Sequence, residues 1–124
     1  MRLRFVCDTC GKPMAAGAIF VRRTELLQAQ QRALETVEWD RAHGGVVTFR
    51  DLLDRPNEVH APWRVMHYRC DPTPDDCDYW IGISRIRTVD EFLEWNQQIH
   101  SKRWIGHTDW TTGFLVKVLA AIRL

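Results

Sequence analysis

The sequence has almost no net charge and no long apolar run. Its 124 residues include 17 Lys+Arg and 16 Asp+Glu, which gives a formal net charge of +1. A near-neutral chain lacks the strong basic field that drives non-specific nucleic-acid binding. A bilayer span needs about 20 apolar residues, and the longest candidate, residues 114–122, is interrupted by Lys117. No apolar leader segment precedes the first cysteine. We therefore expect no membrane contact and a cytoplasmic location.

The sequence also lacks the common short motifs of catalysis. It contains no P-loop, no glycine-rich dinucleotide motif and no nucleophile elbow. An HNH-type nuclease would need a later asparagine and histidine after residues 40–45, and these do not follow at a useful spacing. Internal repeats and low-complexity segments are absent as well. We predict that the protein is not an enzyme, with a nuclease or other hydrolase as the least favoured function.

Two pairs of potential metal ligands stand far apart in the chain. Cys7 and Cys10 form a C-x2-C pair, and His67 and Cys70 form an H-x2-C pair. A two-residue gap lets both side chains of a pair reach one tetrahedral ion, so the two pairs predict one structural zinc ion per chain. A reducing cytosol favours metal over a disulfide. Cys77 is an alternative ligand that could replace His67 in a four-cysteine site.

A tryptophan four residues before the histidine extends this pattern. With Cys7, Cys10, Trp63, His67 and Cys70, the chain resembles LIM-type and other treble-clef-like zinc modules. The resemblance implies a structural metal site on a binding platform without catalysis. It covers residues 3–23 and 59–80. The intervening residues 24–55 are interpreted as a helical insertion, which accounts for the long gap between the ligand pairs.

Periodicity and capping signals predict an α+β fold. We expect a zinc-knuckle hairpin and a small antiparallel sheet with about three packed helices, in a single zinc-stabilised domain over residues 1–124. Predicted strands cover residues 3–7, 17–23 and 80–86, and residues 59–68 are extended. Predicted helices cover residues 24–41, with Thr24 as N-cap and Gly44-Gly45 as the stop signal, and a short segment from Thr73 to about Tyr79. A C-terminal helical hairpin is predicted over residues 88–124, and its first helix starts at a Thr88–Glu91 capping box and ends near Lys102. Residues 46–55 fit either a strand or a short helix capped by Thr48.

The leading functional hypothesis is a binding or regulatory module that contacts another protein. Trp104 and Trp110 bracket a predicted loop, and loop tryptophans are enriched at interaction hot spots, although covering the last helix is the simpler role for them. The apolar stripe of that helix, from Phe114 to Ile122, could also form a homodimer. The alternative is a DNA-binding accessory protein, which would be favoured if the fold placed Arg22, Arg23, Arg85 and Arg87 on one face as a basic patch.

Overall fold

The structure is a computed structural model that describes residues 2–45 and 48–121, with side chains described as far as residue 118. The predicted α+β class is confirmed. The strands are β1 (Ala18–Val21), β2 (Trp63–Met66) and β3 (Tyr79–Gly82), and the helices are α1 (Arg23–His43), α2 (Phe49–Asp54), α3 (Val89–Ile99) and α4 (Leu115–Ala121). No helix in the described part of the chain is both long and apolar enough to cross a bilayer.

The three strands form one antiparallel sheet with β1 in the centre. The order is β2-β1-β3, so β1 pairs with β2 on one side and with β3 on the other. β2 lies more than forty residues after β1 in the sequence. Phe20 lies opposite Arg64 of β2 and Trp80 of β3. Because side chains alternate along a strand, Ile19 and Val21 face one side of the sheet while Ala18 and Phe20 face the other.

The main core lies on the Ile19 side of the sheet and is rich in aromatic rings. Trp110 and Phe92 are almost completely buried there. The ring of Trp63 meets that of Trp110 edge-on, with centroids 5.0 Å apart. The indole N–H of Trp110 donates a 2.8 Å hydrogen bond to Asn96 Oδ1 of α3. Core packing therefore accounts for much of the high tryptophan content.

Helix α1 begins one residue before the predicted range of 24–41 and continues two residues beyond it, to His43. Its N-cap is Arg22, whose side chain makes no capping hydrogen bond. The predicted cap Thr24 instead donates from its backbone N–H and its hydroxyl to the carboxylate of Asp76. At the other end Gly44 adopts a left-handed conformation with φ 57°, which terminates the helix.

Capping chemistry also fixes the starts of α2 and α3. The Thr48 hydroxyl accepts from the backbone N–H of Asp51, and the Asp51 carboxylate accepts from that of Thr48. The helical alternative is therefore correct for Phe49–Asp54, while residues 46 and 47 of the same segment lie outside the described residues. The predicted Thr88–Glu91 capping box is likewise present, but α3 ends at Ile99 rather than near Lys102.

Several predicted element boundaries are wrong. Residues 3–7 form no strand and contribute only an isolated bridge between Val6 and Pro13. No helix follows Thr73, because the carboxylates of Asp71 and Asp76 bond to the distant residues Arg22 and Thr24 instead of capping a helix. The strand over 80–86 is interrupted after Gly82 by the 3-10 turn Ile83–Arg85. The last helix begins with the π-helical turn Trp110–Phe114, and its stripe continues to Ile122, which lies outside the described residues.

Candidate metal centre

The first ligand pair lies on a tight turn between Val6 and Pro13. The N–H of Gly11 donates to the carbonyl of Cys7 at 2.9 Å, and the N–H of Cys7 donates to the carbonyl of Lys12 at 3.0 Å. Gly11 has φ 72°, a conformation that glycine adopts without steric cost. The turn brings Cys7 and Cys10 to the same side, with Cys7 buried and Cys10 exposed.

The second ligand pair follows β2. His67 comes directly after the last strand residue, and the 3-10 turn Tyr68–Cys70 reverses the chain. That turn is closed by a 3.0 Å hydrogen bond from the N–H of Cys70 to the carbonyl of His67. Both ligands are partly exposed. The end of β2 therefore positions His67, and the 3-10 turn positions Cys70.

The four side chains converge on one point. The three sulfur atoms and the histidine nitrogen all lie within 4.8 Å of one another. Nδ1 of His67 is 3.4 Å from Sγ of Cys10 and 3.8 Å from Sγ of Cys70. In a tetrahedral zinc site with bonds of about 2.3 Å to sulfur and about 2.0 Å to nitrogen, the donor atoms lie about 3.5–3.8 Å apart. The two nitrogen–sulfur distances are close to these values, and the whole group is compact enough for four donor atoms to bind one metal ion.

The other ring nitrogen of His67 has a separate partner. Nε2 lies 3.3 Å from the carbonyl oxygen of Pro13, which can only accept a hydrogen bond. This contact favours the tautomer with the proton on Nε2 and leaves the lone pair of Nδ1 directed at the sulfur atoms. An outer hydrogen bond of this kind is the usual way in which a metal-binding histidine is oriented.

Backbone N–H groups around Cys7 favour its thiolate form. Burial raises the pKa of the Cys7 thiol, but hydrogen bonds from the backbone N–H groups of Cys10, His67 and Thr9 outweigh it and lower the pKa to about 6. Burial and the neighbouring thiols of Cys7 and Cys10 raise the pKa of Cys70. The cluster thus stabilises one negative charge readily and resists accumulating more without a cation, as expected for a site that binds a metal ion.

Glycine is required where the first strand approaches the second ligand pair. Gly17 precedes β1 and has φ 133°, and a Cβ placed on it would overlap the carbonyl oxygen of Met66 and lie 3.1 Å from the Cα of His67. The backbone at Gly17 therefore lies directly against the backbone of His67, one of the four candidate ligands. The sequence shows a glycine at this position, but only the strand pairing reveals what it approaches.

Cys77, the alternative ligand, lies outside the four-residue group. In the described part of the chain the close cluster contains Cys7, Cys10, His67 and Cys70 alone. Cys77 is partly buried against the small cluster of Phe20 and Met66 on the outer face of the sheet. The geometry therefore favours the Cys3His set over the four-cysteine set.

The two loop tryptophans occupy different environments. Trp110 is completely buried, so its side chain offers no surface to a partner in this structure. Trp104 is partly buried and stacks with Trp63, with ring centroids 6.1 Å apart, and its ring contacts that of Tyr79 at an angle of 56°, with centroids 5.4 Å apart. Both residues contribute to the aromatic core, which agrees with the simpler of the two roles expected from the sequence.

The four arginines considered for DNA binding lie at two ends of the sheet. Arg22 and Arg23 follow β1 at the end where Val21 pairs with Tyr79, whereas Arg85 and Arg87 lie past the opposite end. The Arg22 guanidinium is mostly buried and lies 2.9 Å from Asp71. The Arg23 guanidinium lies 3.7 Å from Asp78. The two pairs of arginines therefore follow opposite ends of the sheet, and DNA binding stays a prediction.

No protein-family model, curated protein or solved structure matches this sequence. The resemblance to LIM-type modules is thus limited to the ligand residues and Trp63. The structure supports the coarser statement that Cys7, Cys10, His67 and Cys70 form a possible metal-binding site.

Proposed function

We propose that this protein is a non-enzymatic module that binds another protein chain and is stabilised by one structural zinc ion. Three thiolates and one imidazole are the donor set that zinc prefers over calcium or magnesium. The two pairs come from turns that are distant in sequence, so no preformed site exists in the unfolded chain and metal binding contributes to folding. The convergence of the four donor atoms to within 4.8 Å of one another carries this part of the proposal.

The absence of catalysis is part of the same proposal. A catalytic zinc site usually has three protein ligands and one open position for water or substrate. Four protein ligands fill a tetrahedral shell and leave no such position. The ion would then act by holding the turn that carries Cys7 and Cys10 against the end of β2. Any function would come from the surfaces that the fold presents.

An exposed apolar stripe on α1 supports protein binding. Leu27, Leu34 and Val37 are 57%, 59% and 53% exposed, respectively. With the partly buried Gln30 they occupy positions 27, 30, 34 and 37, which is the a/d spacing of a coiled-coil seam. The core-facing residues Leu26, Ala29 and Thr36 occupy a different face of the helix. Helix α1 therefore has a second apolar face that nothing in the described part of the chain covers.

A second copy of this chain is the occupant that fits the stripe best. A helix with a/d spacing packs against another helix with the same spacing, and α1 itself supplies one. Isologous contacts also need a surface without strong charge of one sign. Gln31 and Ala33 flank the middle of the stripe, and the acidic Glu38 and Asp40 flank only its Val37 end, so the centre of such a pair would carry no opposed like charges. This surface replaces the C-terminal helix as the dimer contact, because Phe114 and Val118 are buried in the core.

The test is the oligomeric state of the zinc-loaded protein. Light scattering coupled to size exclusion should give a dimer for the wild-type protein and a monomer for Leu34→Glu. Leu93→Glu is the matched control, since Leu93 is an exposed leucine on α3 and its replacement should leave the dimer intact. Circular dichroism should show the same helix content in all three proteins. A monomeric wild-type protein, or a dimer that survives Leu34→Glu, would overturn the proposed surface.

A further inference from the structure

A cavity of about 340 Å³ lies on the outer face of the sheet, where it shares the lining residue His67 with the candidate metal centre and includes no residue of the α1 stripe. Its walls are mostly aromatic and sulfur-bearing. The residues that matter for its chemistry are Phe20, Met66, Tyr68, Asp71, Cys77 and Trp80. Small-molecule and side-chain binding sites in proteins have volumes of this order and a similar mixture of apolar walls with few polar groups.

Small residues in the sheet make room for the cavity. Ala18 of β1 lies directly opposite Gly82 of β3, so this part of the outer face carries only a methyl group and a hydrogen. A Cβ placed on Gly82 would lie 3.6 Å from Cζ3 of Trp80 and 3.7 Å from the hydroxyl of Tyr68. The side chains of Trp80, on β3, and Tyr68, in the 3-10 turn after β2, therefore lie close together over a surface without bulky groups.

Both aromatic side chains are unusually exposed. Tyr68 is 60% exposed and Trp80 is 57% exposed, whereas Phe20 at the base of the cavity is buried. The Phe20 ring already has a cation near its face, since the Arg22 guanidinium carbon lies 5.1 Å from the ring centroid. The faces of Tyr68 and Trp80 remain accessible to a cation from outside.

The rim of the cavity is acidic. The segment from Asp71 to Asp78 contains four aspartates, and its members Asp71, Pro74 and Cys77 line the cavity. Of these aspartates only Asp71 and Asp78 form ion pairs within the described residues, with Arg22 and Arg23. Asp71 is the one aspartate in the cavity lining, whereas Asp75 and Asp76 lie between the lining residues Pro74 and Cys77 in the sequence. Because Asp75 and Asp76 form no ion pair within the described residues, the segment beside the cavity keeps an excess of negative charge, which favours a positively charged ligand.

The small number of hydrogen-bond acceptors narrows the class of cation. An unmodified ammonium needs three acceptors when it leaves water, and the walls offer chiefly the Asp71 carboxylate and the Tyr68 hydroxyl. A methylated ammonium has no N–H group to satisfy and interacts with aromatic faces through its charge. We propose that this cavity binds a methylated ammonium group, held between the rings of Trp80 and Tyr68.

The experiment compares two ligands of the same shape. Choline and its uncharged carbon analogue 3,3-dimethylbutan-1-ol are titrated into the zinc-loaded protein, and binding is followed by NMR at the Trp80 indole N–H and the Tyr68 ring. We expect choline to shift both signals and to bind about tenfold more tightly than the analogue. Equal binding of both ligands, or no shift with choline or with the peptide described below, would overturn the proposal.

Variants test whether the rings themselves bind the cation. Trp80→Ala should abolish the choline response at Tyr68, while Phe49→Ala, which removes an aromatic ring that is 78% exposed on α2, should leave it unchanged. Both side chains are largely exposed, so both variants should keep the wild-type circular dichroism spectrum. An undiminished choline response in Trp80→Ala would contradict the assignment.

Two sources could supply the methylated ammonium. A short peptide that carries trimethyl-lysine represents a modified protein, and phosphocholine represents a lipid headgroup. Stronger binding of the peptide than of its unmodified lysine counterpart would support the cavity chemistry and identify a protein source, whereas stronger binding of phosphocholine than of the peptide would support it and identify a headgroup. The oligomeric state plays no part in this readout, so the two proposals fail independently.

Discussion

Asp8 and Val65 exchange two hydrogen bonds across 57 positions of sequence. The backbone N–H of Asp8 donates to the carbonyl of Val65 at 2.7 Å, and the backbone N–H of Val65 donates to Asp8 Oδ2 at 2.8 Å. Asp8 follows the first ligand, Cys7, and Val65 precedes His67 by two residues. These two hydrogen bonds therefore join the turn that carries Cys7 and Cys10 to β2, next to both ligand pairs of the candidate metal centre.

The Asp8 carboxylate should contribute measurably to stability. Asp8→Ala leaves the buried N–H of Val65 without a partner, which costs about 1–3 kcal/mol. Chemical denaturation of the zinc-loaded protein should show this loss, and a chelator competition should show weaker zinc binding. Lys117→Ala is the control, because the Lys117–Asp8 ion pair at 3.7 Å is largely exposed and should contribute less than about 1 kcal/mol. Equal stability of Asp8→Ala and the wild type would contradict this role.

A methyl group at Gly17 should disturb the second ligand pair. Gly17→Ala forces an alanine to φ 133° and places its Cβ against the Met66 carbonyl, so we expect a loss of about 2 kcal/mol or more in the free energy of unfolding. Gly106→Ala is the matched control, since a Cβ there meets no atom within 4 Å. Thermal unfolding of both variants measures the difference. A Gly17→Ala protein as stable as Gly106→Ala would show that the backbone does not make this close approach.

Asp109 provides a prediction on pH. Burial raises the pKa of its carboxyl, although the carboxylate accepts a 2.8 Å hydrogen bond from the backbone N–H of Trp63. A raised pKa means that this group favours folding when protonated, and the contribution is lost as the pH rises through the folded-state value. Asp109→Asn keeps an acceptor without the charge. At neutral pH it should be more stable than the wild type, by less than about 1 kcal/mol because the group is only half buried.

The pH profile distinguishes this effect from a change in packing. The stability difference between Asp109→Asn and the wild type should shrink as the pH falls and vanish below about 3, where the carboxyl is protonated in both states because an unfolded aspartate has a pKa of about 3.9. Asp75→Asn, at an exposed carboxylate, should show no such trend. A difference that is independent of pH would mean that the charge of Asp109 is not its cause.

Local signals in the sequence were sufficient for some elements and not for others. The Thr88–Glu91 capping box and the Gly44 stop depend on neighbouring residues, and both are confirmed. The predicted helix after Thr73 is absent because Asp71 and Asp76 bond to Arg22 and Thr24, which lie about fifty residues earlier. Side chains that look like capping groups locally are thus used for long-range contacts.

The candidate site likewise combines features that local sequence signals predict with features that depend on long-range contacts. The spacing within each ligand pair predicted the four residues that the fold brings together. The hydrogen bond from His67 to Pro13, by contrast, has no sequence signal, because it depends on how the knuckle lies against β2. The convergence of Tyr68 and Trp80 was not predicted either, since it follows from the pairing of Ala18 with Gly82.

The central claim is that Cys7, Cys10, His67 and Cys70 hold one zinc ion that the fold needs. The most direct measurement is elemental analysis of protein purified without added metal, for the wild type, Cys7→Ser and Cys77→Ser. We expect about one zinc per chain in the wild type and in Cys77→Ser, none in Cys7→Ser, and a sharp fall in melting temperature when a chelator removes the ion. A wild-type protein without metal, or loss of zinc in Cys77→Ser, would contradict the account.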